Sequence, residues 1–221
     1  PDVLIEGVPA AGLAEAEALT DFAQAHGLAR LTIDDGDGPQ TRWEPVPVTV
    51  TLGGAAVALP HDAFLQATAD GEATLIRAVR AGVGDARIVA DLFAGLGTFA
   101  LNLAGKVYAA EAARDAVLAL KAARPGLFVE HRDLYRRPLQ TAELDRFDAV
   151  VLDPPRAGAE AQMPAIAASR CPRLVYVSCN PATFARDARL LAGGGWRLDR
   201  VTPVGQFRWS THVELCAVFG R

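Results

Sequence analysis

From Asp62 onward the chain alternates helical and strand-like segments almost without interruption, and no other feature constrains its fold so tightly. A helical period marks residues 67–80, 98–104, 113–123, 159–169 and 182–192, while short apolar runs at 87–92, 106–110, 127–131, 147–152 and 173–178 read as buried strands. Alternation of this kind makes a mostly parallel α/β sheet covered on both faces. Two last strands, near 196–203 and 212–219, have no helix between them and are expected to form an antiparallel hairpin at one edge. Ligands of an open α/β sheet gather beyond the carboxyl ends of its strands, where strand order reverses. The candidates for function are therefore the residues that follow strands.

The first sixty residues have a different rhythm. Residues 2–6 alternate like an edge strand, Gly12 to His26 carries a helical period with Leu13, Ala16, Leu19 and Phe22 inward, and Leu28 to Ile33 reads as another strand. A polar loop, Asp34 to Gln40, follows. Residues 46–52 and 55–59 then flank Gly53-Gly54, a hairpin signal because both glycines accept positive φ. We expect a small α+β subdomain over 1–60 and the principal domain over 61–221, with the boundary near Pro60.

Composition narrows the class. With 221 residues and 51% hydrophobic, the chain can bury one full core plus a smaller appendage. No apolar run approaches the ~18 residues of a membrane span, and the start lacks a basic leader or cleavage site, so a soluble, cytoplasmic, monomeric protein is expected. The start at Pro1, without methionine, suggests part of a longer protein. Cys171, Cys179 and Cys216 are odd in number and lack C-x-x-C spacing, so no disulfide framework and no metal site is expected from them. A formal net charge of −4 argues against a surface that binds phosphates all over, though a local groove remains open.

Asp91-Leu92-Phe93-Ala94-Gly95-Leu96-Gly97-Thr98-Phe99-Ala100 follows the first strand of the sheet, where Gly95 and Gly97 let backbone approach a ligand. Alone, this turn also suits a nicotinamide dinucleotide, or a helix that merely packs closely. Three acids at successive strand ends favour S-adenosylmethionine. Asp91 suits a ligand with an ammonium and a sulfonium, Glu111 suits ribose hydroxyls, and Asp133 suits an adenine amino group.

The strand 147–152 stops at Asp153-Pro154-Pro155-Arg156, because proline cannot continue a ladder. The next strand runs into Ser178-Cys179-Asn180-Pro181, where Asn180 is a good N-cap and Pro181 a good first helical residue. Cys179 then sits at the positive end of a helix, which favours thiolate over thiol. Cys171 and Cys216 lack that setting and are expected to be structural. Glu214 is a candidate base and His212 a second one, although spacing leaves Glu214 equally readable as an exposed acid on an edge strand.

These segments carry a resemblance. Tyr176-Val177-Ser178-Cys179-Asn180-Pro181-Ala182-Thr183-Phe184-Ala185-Arg186-Asp187, Asp153-Pro154-Pro155-Arg156-Ala157-Gly158 and His212-Val213-Glu214 resemble the signatures of the bacterial RNA uracil-5-methyltransferases of transfer RNA and 23S ribosomal RNA. The resemblance implies a class I methyltransferase (Rossmann-like) fold, S-adenosylmethionine as cofactor, and methylation of uridine C5 in structured RNA, ribosomal before transfer RNA. Cys179 would be the nucleophile toward C6, Glu214 the proton acceptor, and Asp153 a neighbour of both cofactor and uracil. Phe64-Leu65-Gln66 matches the family's phenylalanine-x-glutamine element, which implies that Gln66 touches the cofactor, together with Phe93, Thr98, Glu111 and Asp133. RNA contacts are expected from the 1–60 segment, from Phe64 or Phe207 as an aromatic platform, and from arginines among Arg136, Arg137, Arg156, Arg186, Arg189 and Arg208. The chain departs from the family at Gly205, where an aspartate is usual. Many members also carry an RNA-binding barrel and an iron-sulfur cluster, which here would lie in a region upstream. A cytosine-5 RNA methyltransferase or a non-catalytic RNA-binding paralogue are the alternatives.

Overall fold

The computed structural model describes residues 1–8, 11–61 and 63–221; Asp62, where the regular alternation was expected to begin, lies outside them. The chain divides into two compact units, Pro1–Val50 and Thr51–Arg221.

In the first unit β1 (Asp2–Glu6) pairs parallel with β2 (Arg30–Asp34), and α1 (Leu13–Ala25) makes the crossover. A further strand, β3 (Gln40–Trp43), runs antiparallel to β2. Sequence reading missed β3 because Gln40-Thr41-Arg42-Trp43 has no apolar alternation. The core is Ala23, Leu28, Leu31 and Ile33, with Val3, Ile5, Leu19 and Trp43 against it. The inward face of α1 is thus set by Leu19 and Ala23. Leu13 is 75% exposed and Phe22, expected inside, lies 43% exposed with its ring 4.5 Å from that of His26.

The boundary falls within β4 (Thr49–Leu52), ten residues earlier than the expected Pro60. The reason is the hairpin of β4 with β5 (Ala55–Ala58), whose Leu52 and Val57 are buried and whose Gly53 sits where a Cβ would strike the Leu101 carbonyl. It packs as part of the larger unit. Next, α2 (Ala69–Val83) is capped by Thr68, whose hydroxyl accepts from the Gly71 amide at 3.1 Å, and it buries Leu75, Val79 and Val83.

The main sheet has seven strands: β6 (Ile88–Leu92), β7 (Lys106–Glu111), β8 (Phe128–His131), β9 (Ala149–Leu152), β10 (Arg173–Ser178), β11 (Arg197–Val204) and β12 (Glu214–Gly220). Their spatial order is β11-β12-β10-β9-β6-β7-β8. All neighbours from β10 to β8 are parallel, and β12 alone runs against the rest, wedged between β10 and β11. The expected terminal hairpin exists, with the last strand fully buried rather than outermost. Helices α3 (Arg114–Ala123), α4 (Thr141–Leu144), α5 (Met163–Ala168) and α6 (Pro181–Gly193) cover the sheet. The helix expected at 98–104 is instead a turn ending in a three-residue 3-10 turn at Ala100–Asn102, because Leu103 is extended and the chain must enter β7 at Lys106. The helix expected over 159–169 is cut to α5. After β8 the chain returns to the other side of β6, so strand order reverses between β6 and β9. No described helix is long and apolar enough to cross a membrane.

Candidate active site

Every residue singled out after a strand lies along the carboxyl edge of this sheet, beside the reversal of strand order. Asp91, the fourth residue of β6, is fully buried, and neither carboxylate oxygen has a hydrogen-bonding partner. Burial pushes its carboxyl up to about 7; the nearby Ala100 amide, outside hydrogen-bonding geometry, opposes the shift and Glu111 adds to it. An orphaned buried carboxylate is costly alone and suits a cationic ligand. Phe93 follows at φ 64°, the one non-glycine residue with positive φ among the described residues. Backbone strain of this kind collects at ligand sites.

The two glycines of the turn differ in their surroundings. A Cβ on Gly97 would lie 2.5 Å from Leu120 Cδ1, so Gly97 serves packing against α3. Beside Gly95 the space is open, and its amide donates to Glu111 Oε2 at 2.8 Å. Glu111 Oε1 accepts from the Ala112 and Ala113 amides, each at 2.8 Å. The carboxylate therefore shapes the turn as well as facing a ligand. Asp133 likewise accepts from the Tyr135 and Arg136 amides at 2.9 and 3.2 Å through one oxygen. Thr98 is half-buried at the mouth of the turn, and Gln66, also half-buried, accepts from Gln206 Nε2 at 2.9 Å. Gln206 accepts in turn from the Thr68 amide at 3.2 Å, and a Cβ on Gly71 would press against its side chain. This tie between the loop before β12 and the start of α2 was not legible in sequence.

The reaction residues meet by strand register. Asp153 comes directly after β9 with its amide donating to Leu92 O at 3.3 Å. Ser178 pairs with Leu215 and Val204 with Glu214, so Cys179 leaves β10 level with Glu214 on β12. Asn180 caps α6, its Oδ1 accepting from the Ala182 amide at 3.0 Å, while its Nδ2 donates to Arg156 O at 2.9 Å. The Thr183 hydroxyl donates to the same carbonyl at 3.2 Å, which ties the Asp153–Gly158 loop to the start of α6.

Charge at this edge differs from the sequence expectation. Burial raises the Cys179 thiol above its ordinary value, with Glu214 and then Asp153 adding, and its own backbone amide and Arg156 only partly opposing. The helix-end position that favours thiolate is thus opposed by burial and by two neighbouring acids. Asp153 is pushed well above the carboxylate range by burial, then by Asp91 and Glu214. Glu214, 6% exposed, is raised by burial and partly lowered by His212, whose Nε2 lies 3.3 Å from Oε1. Cys171 and Cys216 are buried, the latter pushed up to about 12 by burial, with Asp153 adding.

The helix that follows Cys179 carries a buried polar knot. Asp187 Oδ2 accepts from Tyr176 Oη at 2.7 Å and from the Ala159 amide at 2.9 Å, and Oδ1 accepts from Arg186 Nε at 2.9 Å. Arg186 also donates to Glu160 at 2.9 Å and to Ala157 O at 3.0 Å. Expected as an RNA contact, it is instead engaged within the protein, holding the Asp153 loop. Tyr135 extends the knot, donating to Gly158 O at 2.9 Å with its ring 5.5 Å from that of Phe93. Arg156 is exposed, Phe64 is 75% exposed, and Phe207 is 47% exposed with its ring 5.6 Å from that of His212. Trp209, 97% exposed, was overlooked in the sequence although it stands five residues before Glu214. A groove of about 510 Å³ between Gly53, Arg80, Leu101 and Arg124 lies away from all these groups.

Sheet order, the single reversed strand and the glycine turn define a class I, Rossmann-like methyltransferase fold. A solved Pyrococcus abyssi tRNA (uracil-54, C5)-methyltransferase, in complex with S-adenosyl-L-homocysteine, shares it with a TM-score of 0.73 at 24% identity, over 86% of this chain and 50% of that one. Residues 126–221, the C-terminal part of the chain, match the family model of tRNA (uracil-5-)-methyltransferases. It is 60% identical over 209 residues to a protein of Zymomonas mobilis named as an RNA methyltransferase, covering 92% of this chain and 53% of that protein. It is 36% identical over 210 residues to the 23S rRNA (uracil(1939)-C(5))-methyltransferase RlmD of Chromohalobacter salexigens, covering 87% of this chain and 44% of that protein. The chain thus spans about half the length of the relatives it matches.

Proposed function

We propose that this chain is the catalytic part of an S-adenosylmethionine-dependent enzyme that methylates C5 of a uridine in structured RNA, ribosomal before transfer RNA, through a covalent bond from Cys179 to C6. The observation that carries the reading is the convergence of Cys179, Asp153 and Glu214 from three strand ends, beside the orphaned Asp91 carboxylate. The family-model match over residues 126–221 and the relatives' names support it.

The residues fit the cofactor. Its ammonium and sulfonium suit the unpartnered Asp91, its ribose hydroxyls suit the remaining lone pair of Glu111 Oε2, and Gly95 leaves room for its approach. Gln66, Phe93, Thr98 and Asp133 would line the same cleft. When bound it supplies the methyl group as a cationic donor. Uracil C5 is too weak a nucleophile to take that group unaided. Once the Cys179 thiol has given its proton to solvent, bonding of Sγ to C6 moves the C5=C6 electron pair onto C5 and the O4 carbonyl, so C5 can accept the methyl. Glu214 then removes the C5 proton, the pair re-forms C5=C6, and the Sγ–C6 bond breaks. A carboxyl raised by burial is a stronger base when ionised, which suits that step. Asp153 orients the base between the thiol and the methyl donor, while Phe64, Phe207 and Arg156 contact the RNA.

The test is a trap. The full-length protein and its Cys179→Ala variant are mixed with S-adenosylmethionine and 5-fluorouridine-substituted RNA, and covalent adducts are sought by denaturing gel and mass spectrometry. Fluorine at C5 cannot leave as a proton, so the thioether persists after methyl transfer. The reading expects a cofactor-dependent adduct mapping to Cys179. Methyl transfer to another RNA atom with no adduct would overturn it.

A further inference from the structure

We propose that Trp209 is a stacking platform for an unpaired RNA base within a few nucleotides of the one held at Cys179. This rests on the reading above and adds the element that selects the RNA strand around the target. Among the three tryptophans, Trp196 is 4% exposed and Trp43 is half-buried with its indole donating to Leu28 O at 3.0 Å, whereas Trp209 stands 97% exposed. Nothing described in the structure covers either face of its ring.

The loop that presents Trp209 is held on both sides of it. Pairing of Val204 with Glu214 closes residues 205–213 at the base. On one side Gln206 is fixed between Gln66 and the Thr68 amide. On the other, the His212 ring meets Phe207 across the loop, and the His212 amide donates to Ser210 Oγ at 3.0 Å. An indole held out in this way loses little conformational entropy on stacking.

Position and charge identify the occupant. Five residues of extended chain reach at most about 17 Å, so Trp209 stays within that distance of Glu214. Stacked nucleotides advance about 3.4 Å each along a strand, which sets the few-nucleotide range. The base at Cys179 itself sits among half-buried and buried groups, so a ring this exposed serves a neighbour. Arg208 stands exposed beside Trp209, makes no ion pair among the described residues, and can meet a phosphate. Residues 205–213 contain no acid, in a chain whose net charge is −4. Base-on-indole stacking tolerates any base, because every base has a π face.

The experiment uses the full-length protein and its Trp209→Ala and Trp209→Phe variants. Iodide quenching of the Trp209 contribution, taken as wild type minus Trp209→Phe, is measured with and without a single-stranded RNA carrying the target uridine. The Kd for that RNA and the yield of Cys179 adduct at saturating RNA are measured alongside. We expect the Trp209 emission to be open to iodide until RNA is added. We also expect Trp209→Ala to weaken RNA binding at least about fivefold, Trp209→Phe to restore most of it, and the adduct yield at saturation to persist. Unchanged RNA affinity in Trp209→Ala overturns the proposal, as does a Trp209 already shielded before RNA is added, which would place another part of the protein over it. Normal adduct with unchanged affinity sinks this inference and spares the uridine C5 reading; weakened affinity without any adduct does the reverse.

Discussion

Asp187 offers the sharpest test of how the Asp153 loop is held. Its carboxylate is 1% exposed and serves three donors: the fully buried Tyr176 hydroxyl, the Ala159 amide and Arg186 Nε. In Asp187→Ala the Tyr176 hydroxyl keeps one weak partner, the Ala159 amide at 3.3 Å, and water can reach the partly exposed Arg186. The loss then reduces to buried groups left short of partners at about 1–3 kcal/mol each, about 3–5 kcal/mol in all. Tyr176→Phe removes the hydroxyl alone, leaves Asp187 two donors, and should cost about 1–1.5 kcal/mol. Because the two substitutions delete one shared bond, the double variant should be less destabilised than the sum, by about 1 kcal/mol or more. Urea denaturation followed by circular dichroism measures all four proteins. A loss below about 1 kcal/mol in Asp187→Ala, or strict additivity in the cycle, would refute the claim that this knot anchors the loop.

Two further outcomes concern charge. Asp91 has its carboxyl raised to about 7 in the folded protein against an ordinary 3.8, so between those values the native state holds a proton that the unfolded chain has lost. Stability must fall as pH rises through that window, by up to about 4 kcal/mol, and Asp91→Asn should flatten this part of the pH profile; parallel profiles for the two ligand-free proteins would refute the assignment. For Cys179, alkylation by iodoacetamide in the free protein should have its midpoint above the ordinary thiol range, and Glu214→Gln should move it down by removing the charge that opposes the thiolate. An unmoved midpoint would show that the two groups do not sense each other.

The sheet was legible because buried parallel strands and their crossover helices leave unmistakable runs of Val, Leu and Ala, such as Ala149–Leu152 between Phe147 and Asp153. Where an element rests on something other than its own period, the sequence misled. Residues 98–104 carry apolar spacing enough for a helix, but the short path from Gly97 to β7 allows only a turn. Leu13 and Phe22 have the right spacing on α1, yet the packed face belongs to Leu19 and Ala23. At the site, Cys179 and Asp153 stood out because each directly follows a strand, whereas Glu214, which opens β12, and Asp91, inside β6, are placed by strand register. The partners of Arg186 were not: Ala157, Glu160 and Asp187 close around it only after β9 and β10 pair. Trp209 escaped notice because exposure, the property that makes it informative, exists only in the folded chain.

The same distinction explains the thiol. Local sequence places Cys179 at the start of α6 and argues for thiolate, since a helix terminus acts within one turn. The opposing charges come from residues 26 positions before it and 35 after it, Asp153 and Glu214, brought to one edge by β9 and β12. Burial strengthens their repulsion because little water remains to screen it. Two acids beside one thiol would be a poor design for a resting nucleophile, but they suit a site completed by a cation. A sulfonium placed near Asp91 and Asp153 would neutralise the charge that suppresses the thiolate, so reactivity would rise only with the methyl donor in place. On the proposed reading, RNA that arrives first should meet a thiol, and bond formation to C6 should wait for the cofactor. Incubation of the enzyme with fluorinated RNA and neutral S-adenosylhomocysteine should accordingly leave Cys179 free, whereas S-adenosylmethionine should commit it.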